Sequence, residues 1–393
     1  MIIERDLKSE LLKSAAAFPA VTLTGPRQSG KSTICKQLFP KHHYVNLESL
    51  DTRAMAMEDP RRFLQKLKDG TGAIIDEIQR CPQLLSYLQE MIDNDPSAGQ
   101  WILTGSQNLN LLDSVSQSLA GRTAVVHLLP LTYNEMRRFS QYPQQLDQML
   151  LTGGYPRIYD QKVPVSNWLS SYIATYIERD VRTLLNIGDL TAFQRFFQLC
   201  AGRTGQLLNY SSLAADAGIS QPTAKKWLSI LEASFILFQL PSYAGNVRTR
   251  LVKMPKLHFY DTGLVCCLLG IRTAEQLSTH PLRGAIFETW VVSEIVKHRT
   301  NKAIRGGIFY YRDSHSREAD MIVEMPDKIV IVEAKSGSTF SSDMFNAARL
   351  CKKAIETKAN IHIRAVYGGD STQQIKDDYL LAWNTMDDFD WGQ

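Results

Sequence analysis

Long apolar runs are missing from this chain of 393 residues. Hydrophobic residues make up 44% of it and charged residues 21%, close to the average of water-soluble globular proteins. No run approaches the roughly 18 residues that a membrane-spanning helix needs, which excludes a membrane protein. The first 18 residues mix charged and apolar side chains at helical spacing and lack the uninterrupted apolar core of an export signal. We therefore expect a cytoplasmic protein without a membrane partner.

Cysteine is sparse, and its six copies are scattered along the chain. The sequence has no C-x-x-C pair and no Cys/His cluster with the spacing of a zinc site. This pattern is typical of reduced core thiols in a cytosolic protein.

A large overall charge is also missing, since the net charge is only +4. The positive charge is unevenly distributed, however. Residues 190–257 contain eight Lys or Arg and only two acids, a net charge of +6. A local excess of this kind is the usual sign of a polyanionic partner.

A phosphate-binding motif is present near the N-terminus. After an apolar run, the sequence GPRQSGKST fits G-x-x-x-x-G-K-[ST] at every position. Its glycines let backbone N–H groups surround phosphate oxygens, and the following helix N-terminus adds its positive end. We expect Lys31 to reach the β- and γ-phosphates of ATP and Ser32 to ligate Mg²⁺. The predicted nucleotide-binding residues are Gly25, Pro26, Arg27, Gln28, Ser29, Gly30, Lys31, Ser32 and Thr33.

Two carboxylates end the third predicted strand. We expect Asp76 to be the second holder of Mg²⁺ and Glu77 to be the base that polarises an attacking water. The next strand ends in small polar residues at the same sheet edge. There Ser106, or Thr104 or Asn108 in its place, would sense or orient that water; a polar turn without contact is the alternative.

Arg122 precedes the fifth predicted strand, and we place it near the same edge of the sheet. It would then act as an arginine finger in cis or in trans, or remain a surface arginine. Five strands separated by helix-length segments predict a parallel α/β sheet of the P-loop NTPase type. They lie near residues 21–24, 44–48, 73–76, 101–104 and 124–129.

Four regions follow one another along the chain. The P-loop core covers residues 1–131, and a helical segment similar to the lid of many ATPases covers residues 132–189. In that lid, Arg179 would contact nucleotide or form a structural ion pair. A winged helix-turn-helix is predicted at residues 190–260, and a restriction-endonuclease-like α/β domain at residues 261–393.

The helix-turn-helix prediction rests on two helices separated by the turn Gly218-Ile219-Ser220. Gln221, Thr223 and two lysines lie early on the second helix, where contacts to bases and phosphates are made. Three further basic residues belong to the predicted wing. A role in packing or oligomerisation is the alternative. The predicted DNA-binding residues are Lys225, Lys226, Arg248, Arg250 and Lys253.

The C-terminal prediction rests on a helix followed by three strands, a helix and a strand. Asp320 and Glu333 on neighbouring antiparallel strands would bind one Mg²⁺, and Glu288 on the first helix would complete the carboxylate set. Lys335 would stabilise the charge that builds up on an attacked phosphate. The same core is also used as a binding scaffold without activity.

The motifs GPRQSGKST, IIDEIQ, LTGSQN, SLAGR, YIERDV, FYDTGL and GAIFETWVVSEI resemble, over nearly the full length, a prokaryotic family of AAA-type ATPases with a winged helix. Its C-terminal domain, of unknown function, looks like a PD-(D/E)XK nuclease. The resemblance implies ATP, Mg²⁺ and a homo-oligomer, with a hexameric ring as one form. It supports Lys31, Ser32, Asp76 and Glu77 as site residues, and implies Arg122 as an arginine finger in cis or in trans.

Three functions remain open from the sequence. The first is a DNA-directed ATPase, an oligomeric motor or remodeler of duplex or branched DNA. The second is an ATP-gated DNA nuclease. The third is a nucleotide-dependent signalling switch that uses the last domain as an inert docking surface.

Overall fold

The computed structural model describes residues 2–68, 71–106, 115, 118–161, 163–177, 189–244, 253–355, 357 and 359–392. The chain forms two compact units. The N-terminal unit contains Met1–Leu131 with the short segments Ala233–Phe235 and Thr300–Ala303. The C-terminal unit contains Thr132–Glu232, Ile236–Arg299 and Ile304–Gln393.

A parallel five-stranded sheet forms the centre of the N-terminal unit. The strand order is β2-β3-β4-β1-β5, and every neighbouring pair is parallel. The strands are β1 (Ala20–Gly25), β2 (His43–Asn46), β3 (Ala73–Asp76), β4 (Trp101–Ser106) and β5 (Thr123–His127). The helices are α1 (Lys8–Ala17), α2 (Lys31–Leu38), α3 (Leu50–Glu58), α4 (Pro60–Lys68) and α5 (Leu84–Asn94), with a 3-10 turn at Ile78–Arg80.

Successive side chains of the central strands enter two different hydrophobic clusters. Ile74 and Ile102 belong to one cluster, whereas Ile75 and Leu103 belong to the other. This alternation follows from the period of two in a strand, and both faces of the sheet are buried because helices cover them. The shared register brings the carboxyl ends of β1, β3 and β4 to one edge of the sheet.

The C-terminal unit begins with short helices. They are α6 (Tyr133–Met136), α7 (Leu146–Thr152), α8 (Pro156–Asp160) and α9 (Val165–Tyr172), with a π-helical turn at Ile173–Ile177. The first of them starts with a capping box, in which Thr132 accepts from the Glu135 N–H and the Glu135 side chain accepts from the Thr132 N–H. In the described part of residues 132–189, these four helices and the π-helical turn are joined by segments that are not helical.

Three helices and a small antiparallel sheet follow. The helices are α10 (Leu190–Gly202), α11 (Tyr210–Ala217) and α12 (Gln221–Ala233); the strands are β6 (Gln206–Leu207), β7 (Leu237–Leu240) and β8 (Lys256–Phe259), in the order β6-β8-β7. Gly218 ends α11 at φ 71°, a left-handed conformation that favours glycine. The hydroxyl of Ser220 accepts from the Thr223 N–H at 3.2 Å and caps α12. The predicted helix, turn and helix therefore lie at the predicted residues.

A six-stranded mixed sheet, in the order β13-β14-β12-β11-β10-β9, forms the remainder of the C-terminal unit. Its strands are β9 (Ile308–Arg312), β10 (Glu318–Glu324), β11 (Lys328–Lys335), β12 (Asn360–Tyr367), β13 (Gln373–Ile375) and β14 (Asp378–Ala382). The helices are α13 (Thr262–Leu268), α14 (Ala274–Ser278), α15 (Arg283–Asn301) and α16 (Asn346–Ala354), with 3-10 turns at Ser342–Phe345 and Trp383–Asp388. Strands β10 and β11 are antiparallel, as predicted.

The predicted α/β fold class, with a parallel sheet of the P-loop type at the N-terminus, is confirmed. All five predicted strands of that sheet are present. Within the described residues, no helix has both the length and the apolar character needed to cross a membrane. The finer domain boundaries stay predictions.

Candidate nucleotide site and C-terminal carboxylate cluster

The P-loop connects β1 to α2. Position 25 requires glycine, because a Cβ there would lie 2.1 Å from the carbonyl oxygen of Leu128. Gly30 has φ 97° and directly precedes the first helical residue, Lys31. These glycines let the chain turn sharply, so that the helix N-terminus lies at the carboxyl end of β1. The loop between them consists of Pro26, Arg27, Gln28 and Ser29, and Ser32 and Thr33 follow on the first turn of the helix.

The ammonium group of Lys31 is buried inside this loop. Its Nζ donates to the carbonyl oxygens of Gly25, at 3.0 Å, and Pro26, at 2.8 Å. Burial lowers the pKa of Lys31 from 10.5 to about 8, and the charges of Glu77 and Asp76 oppose this shift. The loop thus holds a positive charge that is hydrogen-bonded to neutral carbonyl groups.

Three hydroxyl groups converge on Asp76 at the end of β3. Its Oδ2 accepts from Ser32 Oγ at 2.7 Å and from Tyr44 OH at 2.7 Å, and its Oδ1 accepts from Thr104 Oγ1. Burial, followed by the hydrogen bond to Asp76, raises the pKa of Tyr44. Ser32 and Asp76 are therefore in hydrogen-bond contact, close enough for both oxygen atoms to lie beside one Mg²⁺ ion.

Glu77 lies next to Ser106, the last residue of β4. Ser106 Oγ donates to Glu77 Oε2 at 3.5 Å. Gln79 Nε2 donates both to the same carboxylate oxygen and to Ser106 Oγ, the latter at 3.1 Å. Glu77 has φ 59°, a left-handed conformation that is uncommon for glutamate and that turns the chain directly after β3. Asn108, the alternative to Ser106, lies outside the described residues.

The loop also contains a buried hydroxyl group without a partner. Within the described part of the chain, Ser29 Oγ has no hydrogen bond, and the Ser29 side chain is fully buried. Arg5 braces the loop, because its guanidinium donates to the carbonyl oxygens of Ser29, at 2.7 Å, and Leu129, at 2.8 Å. A buried hydroxyl and a buried ammonium are donors that phosphate oxygens satisfy, so the loop fits a nucleotide. The oxygen atoms of Ser32 and Asp76 fit Mg²⁺.

The placement of Arg122 near the nucleotide edge is wrong. Arg122 directly precedes β5, and its carbonyl oxygen accepts from the N–H of Ala20, the first residue of β1. The P-loop follows the last residue of the same strand, so Arg122 lies at the opposite edge of the parallel sheet. Its guanidinium pairs with Asp93 through Nε at 2.5 Å and Nη2 at 2.9 Å. This position excludes the predicted role as a finger in cis.

The predicted DNA-binding lysines are exposed. Lys225 and Lys226 lie on α12, and the ammonium of Lys225 is 5.4 Å from the ring centroid of Tyr210. Lys253 is exposed and donates to the carbonyl oxygen of Arg312 at 3.3 Å. Arg248 and Arg250, like Arg179 in the lid, lie outside the described residues.

Another lysine of the basic segment 190–257 lies among several carboxylates. Lys256 is 2% exposed, and its Nζ is 2.9 Å from Glu288 Oε1, 2.7 Å from Glu318 Oε1 and 3.8 Å from Asp320 Oδ1. Nearby, Lys335 Nζ is 2.6 Å from Glu333 Oε1. We call the six residues Lys256, Glu288, Glu318, Asp320, Glu333 and Lys335 the C-terminal carboxylate cluster.

The predicted metal site in this cluster needs correction. In the part of the chain that the structure describes, no three His, Cys, Asp or Glu side chains form a group that could hold a metal ion. The charge of Asp320 acts on both Glu288 and Glu333, but the ammonium group of Lys256 bonds to Glu288 and lies beside Asp320. One Asp320 oxygen also accepts from the N–H of Ala334 at 2.8 Å. The carboxylates are thus neutralised by lysine.

The four carboxyl groups of the cluster outnumber its two lysines. Burial, with a contribution from Asp320, raises the pKa of Glu288 to about 8 and that of Glu333 to about 7. Burial opposes the charge of Lys256, but Glu288 and Asp320 outweigh it and raise the pKa of Lys256. Lys256 therefore stays protonated at neutral pH.

Family models match three parts of the chain. Residues 17–137 match an AAA domain, residues 143–275 match a domain of unknown function (DUF8612), and residues 283–386 match another domain of unknown function (DUF4143). The parallel sheet, the P-loop and the first match together identify the N-terminal unit as a P-loop domain of the AAA type. The other two matches assign no activity to the C-terminal unit.

Relatives extend this similarity along the whole chain. An uncharacterized protein of Mycobacterium tuberculosis is 28% identical over 402 residues, covering 99% of this chain and 87% of its own. An uncharacterized protein of Methanocaldococcus jannaschii is 20% identical over 289 residues, covering 66% and 64%. Of the solved structures, a Walker-type ATPase of Pyrococcus abyssi has a TM-score of 0.46 at 15% identity, covering 68% of this chain and 96% of that one. A RuvB mutant of Thermotoga maritima has a TM-score of 0.32 at 20% identity, covering 61% and 90%.

Sequence reasoning missed four residues of these sites. Tyr44 and Arg5 have no motif that marks them, because their partners are distant in sequence. Gln79 is two residues beyond Glu77, so its position in the strand-to-helix turn could have marked it. Lys256 contributes to the positive charge of residues 190–257, but the alternating apolar residues around it predict a strand with a buried face.

Proposed function

We propose that the protein hydrolyses ATP with Mg²⁺ and uses the reaction to act on DNA, as an oligomeric motor or remodeler of duplex or branched DNA. The observation that carries the ATPase part is one sheet edge that combines a buried lysine, the Ser32–Asp76 contact and the Glu77–Ser106 contact. A triphosphate, its metal ion and an attacking water need these three features together.

The reaction is an in-line displacement at phosphorus. The oxygen of water bonds to the γ-phosphorus, the bond from that phosphorus to the oxygen bridging the β-phosphate breaks, and ADP and phosphate leave. Glu77 takes the proton of the water, Ser106 orients the carboxylate, and Lys31 neutralises phosphate charge. Mg²⁺, held by Ser32 and Asp76, would supply further positive charge beside the phosphates.

The DNA part of the proposal is supported by the exposed lysines of α12. Lys225 and Lys226 follow a capped turn between two helices, which is the position of a recognition helix. Exposed lysines bind phosphates without reading sequence, which suits a protein that moves along DNA. The AAA class supports a homo-oligomer, a hexameric ring among its forms, in which Arg122 of one copy would serve another.

A second candidate is a nucleotide-dependent switch whose C-terminal unit is an inert docking surface. The position of Lys256 favours it over the ATP-gated nuclease, because the ammonium group lies among the carboxylates that a nuclease would use to bind Mg²⁺. A nuclease would cut DNA in the presence of Mg²⁺ or Mn²⁺, and would lose this activity on Asp320→Ala or Lys335→Ala.

The test is steady-state ATP hydrolysis with no nucleic acid and then with single-stranded, duplex and four-way-branched DNA, followed by a denaturing gel. The proposal requires hydrolysis that DNA stimulates while strands stay intact. Stimulation with cut strands would establish the nuclease, and slow hydrolysis indifferent to DNA would establish the switch.

Glu77→Gln should lower the turnover rate by a factor of about 10² to 10⁴, because the base is lost while phosphate binding is kept. Binding of a fluorescent ATP analogue should stay within about twofold of the parent. The exposed Glu58 provides the matched control, since Glu58→Gln makes the same chemical change on the surface of α3. Equal turnover of Glu77→Gln and the parent would contradict the assigned base.

A further inference from the structure

Gln79 is the residue that links Glu77 to Ser106. Its side-chain amide forms a closed triangle with them: Nε2 donates to Glu77 Oε2 and to Ser106 Oγ, and Ser106 Oγ donates to the same carboxylate oxygen. An ionised carboxylate only accepts hydrogen bonds, so the NH₂ group of Gln79 must face Glu77. The orientation of the amide is therefore fixed by chemistry.

The two carboxylate oxygens of Glu77 have different surroundings in this triangle. Both hydrogen bonds end on Oε2 of Glu77, whereas the described residues make no hydrogen bond to its Oε1. The bonded oxygen anchors a flexible side chain in one rotamer, and the other oxygen keeps its lone pairs for a proton. Anchoring matters here because Glu77 directly follows the last residue of β3 and lies at the turn itself.

The carbonyl oxygen of the Gln79 side chain is an acceptor without a donor among the described residues. Its Oε1 is buried and has no hydrogen-bond partner among the described residues. A buried carbonyl oxygen without a donor is unusual in a folded protein, and it fits a group that accepts a hydrogen bond from a ligand or a water. A water molecule has two O–H bonds, and two acceptors fix both its position and its direction.

We propose that Gln79 is a positioning residue for ATP hydrolysis: its amide nitrogen holds Glu77 against Ser106, and its carbonyl oxygen is the second acceptor that orients the attacking water. Glu77 takes the proton through its other oxygen, and Gln79 itself exchanges no proton. This inference rests on the proposed ATPase function and adds to it a residue that acts mainly through Glu77.

The test compares ATP hydrolysis by the full-length parent, Gln79→Ala, Gln79→Asn and Gln79→Glu. Gln79→Ala should lower kcat by a factor of about 10 to 100 and leave KM for ATP within about twofold, since the phosphate-binding loop is untouched. Gln79→Asn keeps an amide and should recover part of kcat. Gln79→Glu places a second carboxylate beside Glu77 and should be the slowest of the three.

A double-mutant cycle tests whether Gln79 acts through Glu77. In the Glu77→Gln background, Gln79→Ala should lower kcat by a smaller factor than in the parent, because the carboxylate that its amide nitrogen positions is gone and only the contact of its carbonyl oxygen with the water remains to be lost. A full multiplicative loss in that background would overturn the inference, and so would a Gln79→Ala variant with the kcat of the parent. A rise in KM with unchanged kcat would overturn it as well, because Gln79 would then serve nucleotide binding.

Two measurements separate this inference from its alternatives. Thermal unfolding and binding of a fluorescent ATP analogue should match the parent in Gln79→Ala, which excludes a folding defect. Gln83→Ala removes an exposed glutamine four residues away and should leave kcat unchanged. If the parent does not hydrolyse ATP, the proposed function fails. If the parent hydrolyses ATP and the Gln79 variants do so at the same rate, the function stands and the inference fails.

Discussion

The two units of this protein each bury acidic residues beside a lysine, but the lysine has different partners. In the N-terminal unit, Asp76 accepts hydrogen bonds from hydroxyl groups, while Lys31 donates to backbone carbonyl oxygens. In the C-terminal carboxylate cluster, Lys256 donates directly to Glu288 and also pairs with Glu318. In the first site the charged groups bond to neutral groups, whereas in the second site the lysine and the carboxylates form ion pairs with each other.

This difference teaches which site is prepared for a charged ligand. A carboxylate held by neutral hydroxyl groups keeps its full charge for a cation, and an ammonium held by carbonyl groups keeps its charge for a phosphate. A carboxylate that is paired with a buried lysine has already been neutralised. Motifs with similar residue types therefore have different chemical meaning in the two units.

The largest effect on stability is expected from Lys256→Met. This change removes the buried lysine of the C-terminal carboxylate cluster and with it the difference between the two sites. Loss of one partner from a buried ion pair typically costs about 3 to 5 kcal/mol, because the remaining charges stay unpaired. The variant should therefore have a lower unfolding temperature than the parent. Its carboxylates would then resemble Asp76 in being free for a cation, and Mn²⁺ should raise the unfolding temperature of the variant but not of the parent.

Lys335→Met provides the matched control for this prediction. Among the described residues, Lys335 forms an ion pair with Glu333 only, and its side chain is 37% exposed, so its removal should destabilise the protein less. Equal stability of Lys256→Met and the parent without metal would show that the cluster does not depend on Lys256. Equal stabilisation of Lys256→Met and of the parent by Mn²⁺ would show that the cluster binds metal even when Lys256 is present.

A smaller effect is expected at Lys31, where burial lowers the pKa to about 8. Between about pH 8 and pH 10.5 the unfolded chain keeps a proton that the folded chain has released, so this residue makes stability rise with pH. Lys31→Met removes the buried charge and should abolish that rise. Below pH 8 the variant should gain up to about 3 kcal/mol, since it no longer buries an ammonium group.

Urea unfolding of the parent and Lys31→Met at pH 7 and pH 9.5 measures this difference. The same variant should lose the increase in unfolding temperature that ATP and Mg²⁺ give to the parent, because the phosphates lose their cation. Gln37→Ala changes an exposed residue on the same helix, outside the P-loop motif, and serves as the control. A Lys31→Met variant that is less stable than the parent at pH 7 would contradict the cost of burial.

The N-terminal site could be predicted from the sequence because its parts are local. The P-loop is one continuous motif, Asp76 and Ser106 each end a strand of a parallel sheet, and Glu77 directly follows Asp76. Strand ends of one sheet share an edge, so three short motifs were enough to place them together. The same rule shows why Arg122 was misplaced: it begins a strand, and the beginnings of parallel strands lie at the opposite edge.

The C-terminal carboxylate cluster could be predicted only in part. The order of helix and strands, and the pairing of the strands that carry Asp320 and Glu333, follow from their hydrophobic pattern. Lys256 did not, since it comes from β8, a strand of another sheet, and precedes its partner Glu288 by 32 residues. No local pattern reports which distant charge will neutralise a buried carboxylate.

The smallest effect is expected at Lys225 and Lys226, which extend the comparison to lysines exposed to solvent. Each bound phosphate releases counterions, so removing one phosphate-binding lysine should reduce the salt dependence of DNA affinity by about one unit in slope. Lys225→Gln and Lys226→Gln should each weaken DNA binding by about tenfold or less, equally for all sequences, while ATP hydrolysis without DNA stays unchanged. Fluorescence anisotropy at several salt concentrations measures the slope, with Lys353→Gln on α16 as the exposed control. Unchanged slopes in both variants would mean that α12 packs or docks without contacting DNA, and that the exposed charge of the C-terminal unit serves a different partner.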